Sequence, residues 1–272
     1  MLKTRVLTAL VIFAVTLALV FLAPPLVFKG AIAILLMAGC HEFGRICDLS
    51  NRWANTLMVV QAALFAALFF AWDQITPHAV PLLAVGCLAW LVLFTRLVRF
   101  KPGAHPDGAY RRFGFAASLV ALTFCWFALS WLHEQPRGEF VLFLLLLIIW
   151  ASDTGAYFAG VKFGRNKLAP SISPKKTWEG VYGGLLLALL AAWLWSGPIT
   201  HLGIGLLPLA AISIITTATS IGGDLFISLH KRTVRLDDAG NLFPGHGGVL
   251  DRYDSLLPGA VFFALAFGIL AQ

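Results

Sequence analysis

The chain has 272 residues, of which 59% are hydrophobic and only 12% are charged, with a mean hydropathy of +0.85. This composition is too apolar for a soluble globule of that size and predicts a polytopic membrane protein. A net charge of +7 would favour nucleic acid as the partner of a soluble protein, but in a membrane protein basic residues determine topology and attract anionic lipid or nucleotide. We expect no nucleic-acid partner.

Nine apolar segments are long enough to span a hydrocarbon core of about 30 Å. They centre on residues 6–22, 26–46, 55–72, 79–95, 113–132, 139–160, 180–196, 203–229 and 255–271. The pattern predicts an all-α fold with about nine transmembrane helices in a single membrane domain, residues 1–272. We divide it into N-terminal helices, about 1–135, and catalytic helices with their loops, about 139–272.

The distribution of basic residues predicts the orientation of these helices. Of the 20 Lys and Arg residues, all but Lys29 and Arg137 fall on one side of a nine-span topology. Because cytoplasmic loops carry the excess of Lys and Arg, we expect the N-terminus in the cytoplasm and the C-terminus on the opposite side. The first segment lacks a small-x-small cleavage site, so we expect an uncleaved helix. The four cysteines lie in apolar segments without a C-x-x-C pair and are predicted to be buried and unpaired.

In chain order, the first notable polar residues are His41, Glu42 and Arg45, at the end of the second segment. Arg45 follows Glu42 by three residues, so an interfacial ion pair on one helical face is expected. Asp153 comes later, inside the sixth segment, where a carboxylate is costly and marks either function or a buried partner. Helical spacing places Tyr157 and two glycines on its face, so a helix-packing stripe is the alternative.

A basic run follows the sixth segment. Lys175 and Lys176 come after a proline, with hydroxyls at Ser173 and Thr177. These side chains are suited to binding a triphosphate or a lipid phosphate, although a basic anchor at the membrane surface has the same composition.

Asp224 lies near the cytoplasmic end of the eighth segment, after two glycines. With Ser228 and Lys231 it has spacing i, i+4, i+7, which places all three on one helical face. We expect its carboxylate to reach a metal shared with Asp251. The alternative is a carboxylate that pairs only with Lys231 or Arg232.

The polar residues of the chain are concentrated between Ser228 and Asp254. This stretch holds four Asp and four cations, and a Pro-Gly-His-Gly-Gly run precedes its last two Asp. Glycines let backbone N–H groups approach an anion, cations neutralise phosphate, and carboxylates hold hard divalent ions. The pattern indicates Mg-assisted phosphoryl chemistry, and a basic membrane-surface loop with incidental acids is the alternative.

Four spaced motifs resemble those of the phosphatidate cytidylyltransferases, also called CDP-diacylglycerol synthases. They are D-x-x-A-Y-x-x-G-x-x-x-G at 153–164, S-P-K-K-T-x-E-G at 173–180, S-x-x-K-R at 228–232 and P-x-H-G-G-x-x-D-R-x-D at 244–254. Two positions depart from the family pattern: His230 stands where an apolar residue is usual, and Asp237 stands where Lys is usual.

The resemblance implies transfer of the cytidylyl group of CTP to phosphatidate, giving CDP-diacylglycerol and pyrophosphate, in phospholipid synthesis. We also expect Mg²⁺ or another divalent cation, with a second, monovalent cation as an open alternative, and the resemblance suggests a homodimer. The distribution of basic residues places the active site at the cytoplasmic face, and for a bacterial host we expect the inner membrane.

We assign residue roles as a hypothesis. Asp224 and Asp251 are the principal metal ligands, with Asp254 and Asp153 in support. The substrate phosphates are bound by Lys175, Lys176, Lys231, Arg232 and Arg252, with Ser173 and Thr177 nearby. The pyrophosphate pocket is shaped by His246, Gly247 and Gly248.

Two other functions fit the sequence. A CTP-dependent polyprenol kinase would also be polytopic with cytoplasmic Lys and Asp motifs, but it would release CDP where a cytidylyltransferase releases pyrophosphate. A transporter would explain carboxylates in apolar segments, but it predicts polar residues toward both membrane faces, whereas here they cluster near one.

Overall fold

The structure is a computed structural model that describes residues 2–101, 103, 105–199 and 203–270. Within these residues the chain forms nine long helices, three short ones and a two-stranded antiparallel sheet. The helices are α1 (Leu2–Leu22), α2 (Pro25–Ile46), α3 (Asn51–Phe70), α4 (Trp72–Ile75), α5 (Ala79–Val98), α6 (Gly108–His133), α7 (Gly138–Phe163), α8 (Trp178–Leu194), α9 (Ser196–Ile199), α10 (Leu206–Thr233), α11 (Leu250–Tyr253) and α12 (Leu256–Leu270). A 3₁₀ turn, Thr76–His78, joins α4 to α5, and the strands are β1 (Lys167–Ala169) and β2 (Ser173–Thr177).

Each of the predicted apolar segments coincides with a helix of the structure. In the described part of the chain, seven helical segments are long and apolar enough to cross a membrane, and the apolar helices Val6–Leu22 and Trp178–Leu194 are shorter. The expectation of a mainly helical, polytopic membrane protein is confirmed. The count of nine spans stays a prediction.

The β1–β2 hairpin is a departure from the predicted all-α fold. Ile172, in the turn of the hairpin, is buried against Leu225 and Leu229 of α10. Arg232 of α10 also donates to the backbone carbonyl of Ile172, with 3.4 Å between Nε and O. These contacts fix the hairpin against α10. Lys175 and Lys176 therefore lie on a strand that is packed against this helix.

Large aromatic side chains fill the centre of the bundle. Trp90, Trp126, Phe226 and Phe263 are each at most 1% exposed. All four cysteines are buried and free, as predicted. His230, one of the two departures from the family pattern, lies in this core, where Phe113 and Phe226 contact its ring. Tyr110 supplies a hydroxyl 2.8 Å from His230 Nδ1, so a polar partner accompanies the buried ring.

Close helix contacts at glycine bring the polar segments together. A Cβ at Gly155 of α7 would overlap the Gly183 carbonyl of α8, so these helices approach more closely than larger residues allow. A Cβ at Gly223 of α10 would likewise overlap the carbonyl of Asp254 and the ring of Pro258. The residue after Gly223 is Asp224, so this contact places Asp224 beside the start of α12.

The two ends of the bundle differ in composition. At the end that we name the polar end, α2, α7 and α10 finish, and the hairpin and the loop 234–249 lie there. At the opposite end, Lys29, Trp72 and Glu134 form one cluster, in which Lys29 and Trp72 are buried.

Candidate active site

Asp224 belongs to α10, lies at the polar end and forms an ion pair with a lysine of the hairpin. Lys176 Nζ is 2.7 Å from Asp224 Oδ2, and the hydroxyl of Ser228 donates to Oδ1 at 3.1 Å. The side chain of Asp224 is 31% exposed and that of Lys176 is 25% exposed. Lys231 and Arg232 form no ion pair with Asp224 among the described residues, so the alternative of pairing only with them is wrong.

Two further carboxylates accompany this pair. Asp254, at the start of α12, and Asp153, on α7, each interact electrostatically with Asp224 and with Lys176. Asp254 Oδ1 also accepts from the backbone N–H of Ser255 at 2.8 Å. Three carboxylates and one ammonium group from four segments therefore share one region. The described residues contain no set of three or more His, Cys, Asp or Glu side chains close enough to form a metal cage.

Asp251 differs from Asp224 because its carboxylate is nearly fully buried and accepts from three donors. Lys231 Nζ is 2.6 Å from Oδ1, and the backbone N–H groups of Ala239 and Gly248 donate to Oδ2 at 2.9 and 2.8 Å. The side chain is only 3% exposed. In this arrangement Asp251 holds the loop in shape. Its predicted role as a principal metal ligand stays a prediction.

The glycine-rich loop makes a tight turn ahead of Asp251. Gly245 and Gly247 have φ values of +76° and +85°, a region that favours glycine. His246 N–H donates to the Phe243 carbonyl at 2.9 Å, and Arg252 Nε donates to the His246 carbonyl at 2.9 Å. The turn therefore fixes the Nε end of the Arg252 guanidinium group. Among the described atoms, His246 Nδ1 is buried without a hydrogen-bond partner.

A cleft of about 620 Å³ opens beside this turn. Its walls are mostly apolar side chains of α1 and α7, including Phe13 and Trp150. Asp153, His246 and Arg252 also line it. An apolar cavity with a few polar groups is the arrangement expected of a site for an amphipathic ligand.

Of the remaining predicted residues, one contacts Asp224 and others make contacts that support the hairpin and α8. Lys175 and Lys176 are neighbours on a strand, so their side chains point to opposite faces, and Lys175 is exposed. The expected pair of adjacent lysines therefore becomes one lysine at Asp224 and one directed away. Thr177 caps α8 by accepting from the Gly180 N–H at 3.1 Å, and Ser173 pairs with Ala169 in the sheet.

Arg232 contacts the hairpin and the loop after α10. Besides its bond to the hairpin, its Nη1 is 3.4 Å from Asp237 Oδ1, in an exposed ion pair. Asp237, the second departure from the family pattern, has a side chain that is 97% exposed. An exposed pair of this kind contributes little stability.

Sequence reasoning missed the contact made by Glu42. The expected Glu42–Arg45 ion pair is not among the ion pairs of the described residues. Glu42 instead accepts from the backbone N–H groups of Val249 and Leu250. Its signal in the sequence was a carboxylate at the end of an apolar helix, but its partners lie more than 200 residues away in the chain.

Helices that cross a membrane, a carboxylate and lysine centre at one end, and an adjoining apolar cleft define the class of the protein. It is a polytopic membrane protein with a site suited to an amphipathic ligand. Comparison with known proteins gives the family. The model of the cytidylyltransferase family matches residues 3–270, so the chain belongs to that family.

Individual relatives agree with this family assignment. A protein of Pseudomonas aeruginosa named phosphatidate cytidylyltransferase is 37% identical over 266 residues, which cover 97% of this chain and 96% of the relative. A protein of the same name from Haemophilus influenzae is 32% identical over 97% of this chain and 98% of its own length. Another with that name, from Bacillus subtilis, is 36% identical over 70% of this chain and 67% of its own.

Proposed function

We propose that this chain transfers the cytidylyl group of CTP to phosphatidate, giving CDP-diacylglycerol and pyrophosphate for phospholipid synthesis. The support is the near full-length similarity to relatives that carry the name phosphatidate cytidylyltransferase. The structural observation that carries the proposal is the Lys176–Asp224 pair, which lies with Asp153 beside a largely apolar cleft. That combination provides groups for a nucleotide and a wall for a lipid.

The reaction needs little covalent chemistry from the protein. Phosphatidate carries a phosphate that is already anionic, so neither a nucleophilic side chain nor a strong base is required. One of its oxygens forms a bond to the α-phosphorus of CTP. The bond from that phosphorus to the oxygen bridging toward the β-phosphate breaks, and pyrophosphate leaves with the electron pair. The remaining obstacle is the approach of two polyanions, which fixed cations relieve.

Three cations are placed for that task. Lys176 and Lys231 each lie beside a carboxylate, and Arg252 lines the cleft. We assign Lys176 and Lys231 to the triphosphate and Arg252 to the lipid phosphate, with the acyl chains of phosphatidate along the apolar wall. The turn at His246 and Gly247 shapes the space for the leaving pyrophosphate. Ser173, Thr177, Gly248 and Arg232 act by framing these groups, because their observed contacts are mainly within the fold. Lys175 is exposed and lies on the face of β2 opposite to Lys176.

A divalent cation fits these residues. Proteins often hold Mg²⁺ with one or two carboxylates, while substrate phosphates and water complete the shell. Asp224 suits this role because its side chain is partly exposed, and Asp254 and Asp153 are its acidic neighbours. Asp251 would join them only by giving up its bond to Lys231. When bound, Mg²⁺ or another divalent ion would neutralise phosphate charge and polarise the α-phosphate. A second, monovalent cation and a homodimer are further expectations from the family resemblance.

We infer that the polar end faces the cytoplasm, in a nine-span topology with the N-terminus inside and the C-terminus outside. Lys29 belongs to the cluster at the opposite end, and Arg137 lies near Phe140 at the start of α7, at the same end. All other Lys and Arg residues fall on the polar side of that topology, as the positive-inside rule expects. The bacterial relatives support placement in an inner membrane.

The test is a product assay on the purified protein in detergent with Mg²⁺ and phosphatidate. CTP labelled at the α-phosphate should transfer its label to the lipid while pyrophosphate appears in equal amount. Chelation of the metal should stop both. Absence of label in lipid, with CDP released when a polyprenol is supplied, would contradict the proposal and indicate a CTP-dependent lipid kinase.

A further inference from the structure

Glu42 connects the N-terminal helices to the glycine-rich loop. It lies near the end of α2 and is 4% exposed. Its Oε1 accepts from the Val249 N–H at 2.9 Å and its Oε2 accepts from the Leu250 N–H at 2.8 Å. Hydrogen bonds to an ionised carboxylate are among the stronger ones in proteins. A single side chain of α2 therefore holds two successive backbone groups just before Asp251.

The loop is also packed directly onto the Glu42 carboxylate. A Cβ at Gly240 or at Gly248 would overlap its atoms. These two glycines lie at the two ends of the loop segment 240–248, so the segment leaves the Glu42 side chain and returns to it. Side chains larger than hydrogen at either position would displace the carboxylate or the loop.

Glu42 and Asp251 together hold three consecutive backbone groups. The N–H of Gly248 donates to Asp251, and the next two N–H groups donate to Glu42. In this arrangement none of the three is available to a phosphate. Their effect on a substrate must come through the position that they give to the turn and to the residues that follow it.

We propose that Glu42 is a positioning residue for the reaction, since it fixes the loop 240–250 so that Arg252 lines the cleft and Asp251 keeps its bond to Lys231. This inference rests on the proposed function for its kinetic consequence. The rival explanation is that Glu42 contributes only to stability. A carboxylate at the other end of the bundle provides the control, because Glu134 also contacts α2, through Lys29, but lies far from the loop.

The first experiment compares Glu42→Gln with Glu134→Gln in the label-transfer assay, at a temperature where both proteins are folded. In Glu42→Gln one carboxylate oxygen is replaced by an NH₂ group. The backbone N–H that faced this oxygen then meets a donor and loses its hydrogen-bond acceptor. We expect kcat/KM for CTP to fall about tenfold or more in Glu42→Gln and to stay within about twofold of wild type in Glu134→Gln. Equal losses in the two variants, or no loss in Glu42→Gln, would overturn the positioning role.

The second experiment does not depend on activity. Amide hydrogen exchange of peptides covering 245–252 in the full-length protein should be faster in Glu42→Gln than in wild type and unchanged in Glu134→Gln. Unchanged exchange in Glu42→Gln would overturn the proposal. If wild type transfers no label to phosphatidate, the proposed function fails, while the exchange result still decides whether Glu42 holds the loop.

Gly240→Ala provides an independent variant in case Glu42→Gln does not fold. The added methyl overlaps the Glu42 carboxylate and should have the same two effects. Wild-type kcat/KM and wild-type exchange in folded Gly240→Ala would contradict the proposal.

Discussion

Lysine–carboxylate pairs lie at both ends of the bundle, and the surroundings of Lys29–Glu134 differ from those of Lys176–Asp224. At the opposite end, Lys29 is 2.5 Å from Glu134 and lies over the ring of Trp72, and the two side chains are 8% and 29% exposed. Trp72 Nε1 also donates to Glu134 at 2.6 Å. At the polar end, Lys176 and Asp224 are 25% and 31% exposed and lie among other carboxylates.

The difference separates a structural ion pair from a functional one. The Lys29 side chain is 8% exposed, lies over the Trp72 ring and is paired with a carboxylate that Trp72 also holds, so we assign this pair to the fold. A lysine held beside several carboxylates can exchange its partner for a phosphate, because substrate charge and a metal ion would satisfy both groups. Substitutions at the polar end should therefore change turnover more than stability, and substitutions at the opposite end should do the reverse.

Asp251→Asn should have the largest effect, because this carboxylate combines both roles. We expect turnover to fall about a thousandfold or more. The free energy of unfolding should fall by about 1–3 kcal/mol, because Lys231 and two backbone N–H groups lose a charged acceptor. Label transfer and denaturant unfolding measure the two effects. Asp237→Asn, at an exposed carboxylate of the same loop, is the control, and a variant Asp251→Asn with near wild-type turnover would remove Asp251 from the site.

Lys176→Ala and Lys175→Ala should differ although the residues are adjacent. Lys176 faces Asp224, whereas Lys175 lies on the other face of β2. We expect kcat/KM for CTP to fall about thirtyfold for Lys176→Ala and no more than about threefold for Lys175→Ala. Steady-state kinetics at saturating phosphatidate checks this. Similar losses for both lysines would contradict an arrangement in which only Lys176 faces Asp224.

Arg252→Ala should have a moderate effect that depends on the lipid substrate. Removing a guanidinium from the cleft should raise KM for phosphatidate about tenfold and leave metal binding intact. The matched control is Arg165→Ala, which removes an exposed cation from the same end of the bundle. A KM change that appears for CTP and not for phosphatidate would reassign Arg252 to the nucleotide.

Glu134→Gln should have the smallest effect on turnover. The loss of charge beside Lys29 should lower the free energy of unfolding by about 1–3 kcal/mol. kcat and both KM values should stay within about twofold of wild type below the unfolding transition. A selective loss of turnover in a stable Glu134→Gln protein would break the distinction between the two ends.

The parts of the fold that the sequence could predict depend on local composition. Apolar length fixes where a helix can cross a membrane, so every predicted segment coincides with a helix. Asp224 could be identified because an acidic residue in an apolar helix is costly and needs a reason. Its partner Lys176 comes from a hairpin whose strands are short and polar. The sequence has no apolar alternation there that would distinguish a strand from a loop.

Long-range contacts were the part that local composition could not predict. Glu42 has a neighbour at Arg45 with suitable helical spacing, and local reasoning therefore paired them. In the structure the Glu42 carboxylate accepts from the backbone N–H groups of Val249 and Leu250. A buried N–H group without an acceptor costs more free energy than an exposed arginine without an ion-pair partner. Asp251 shows the same limit, since two of its three donors are backbone groups that carry no mark in the sequence.

The role of the polar end is tested most directly by the rate of label transfer from CTP to phosphatidate in Asp224→Asn, measured beside wild type and Asp237→Asn. Asp224→Asn should keep a thermal unfolding temperature close to that of wild type, because the side chain is partly exposed, and its turnover should fall about a hundredfold or more. Asp237→Asn should match wild type in both measurements. Near wild-type turnover in folded Asp224→Asn would contradict the assignment of the chemistry to this end of the bundle.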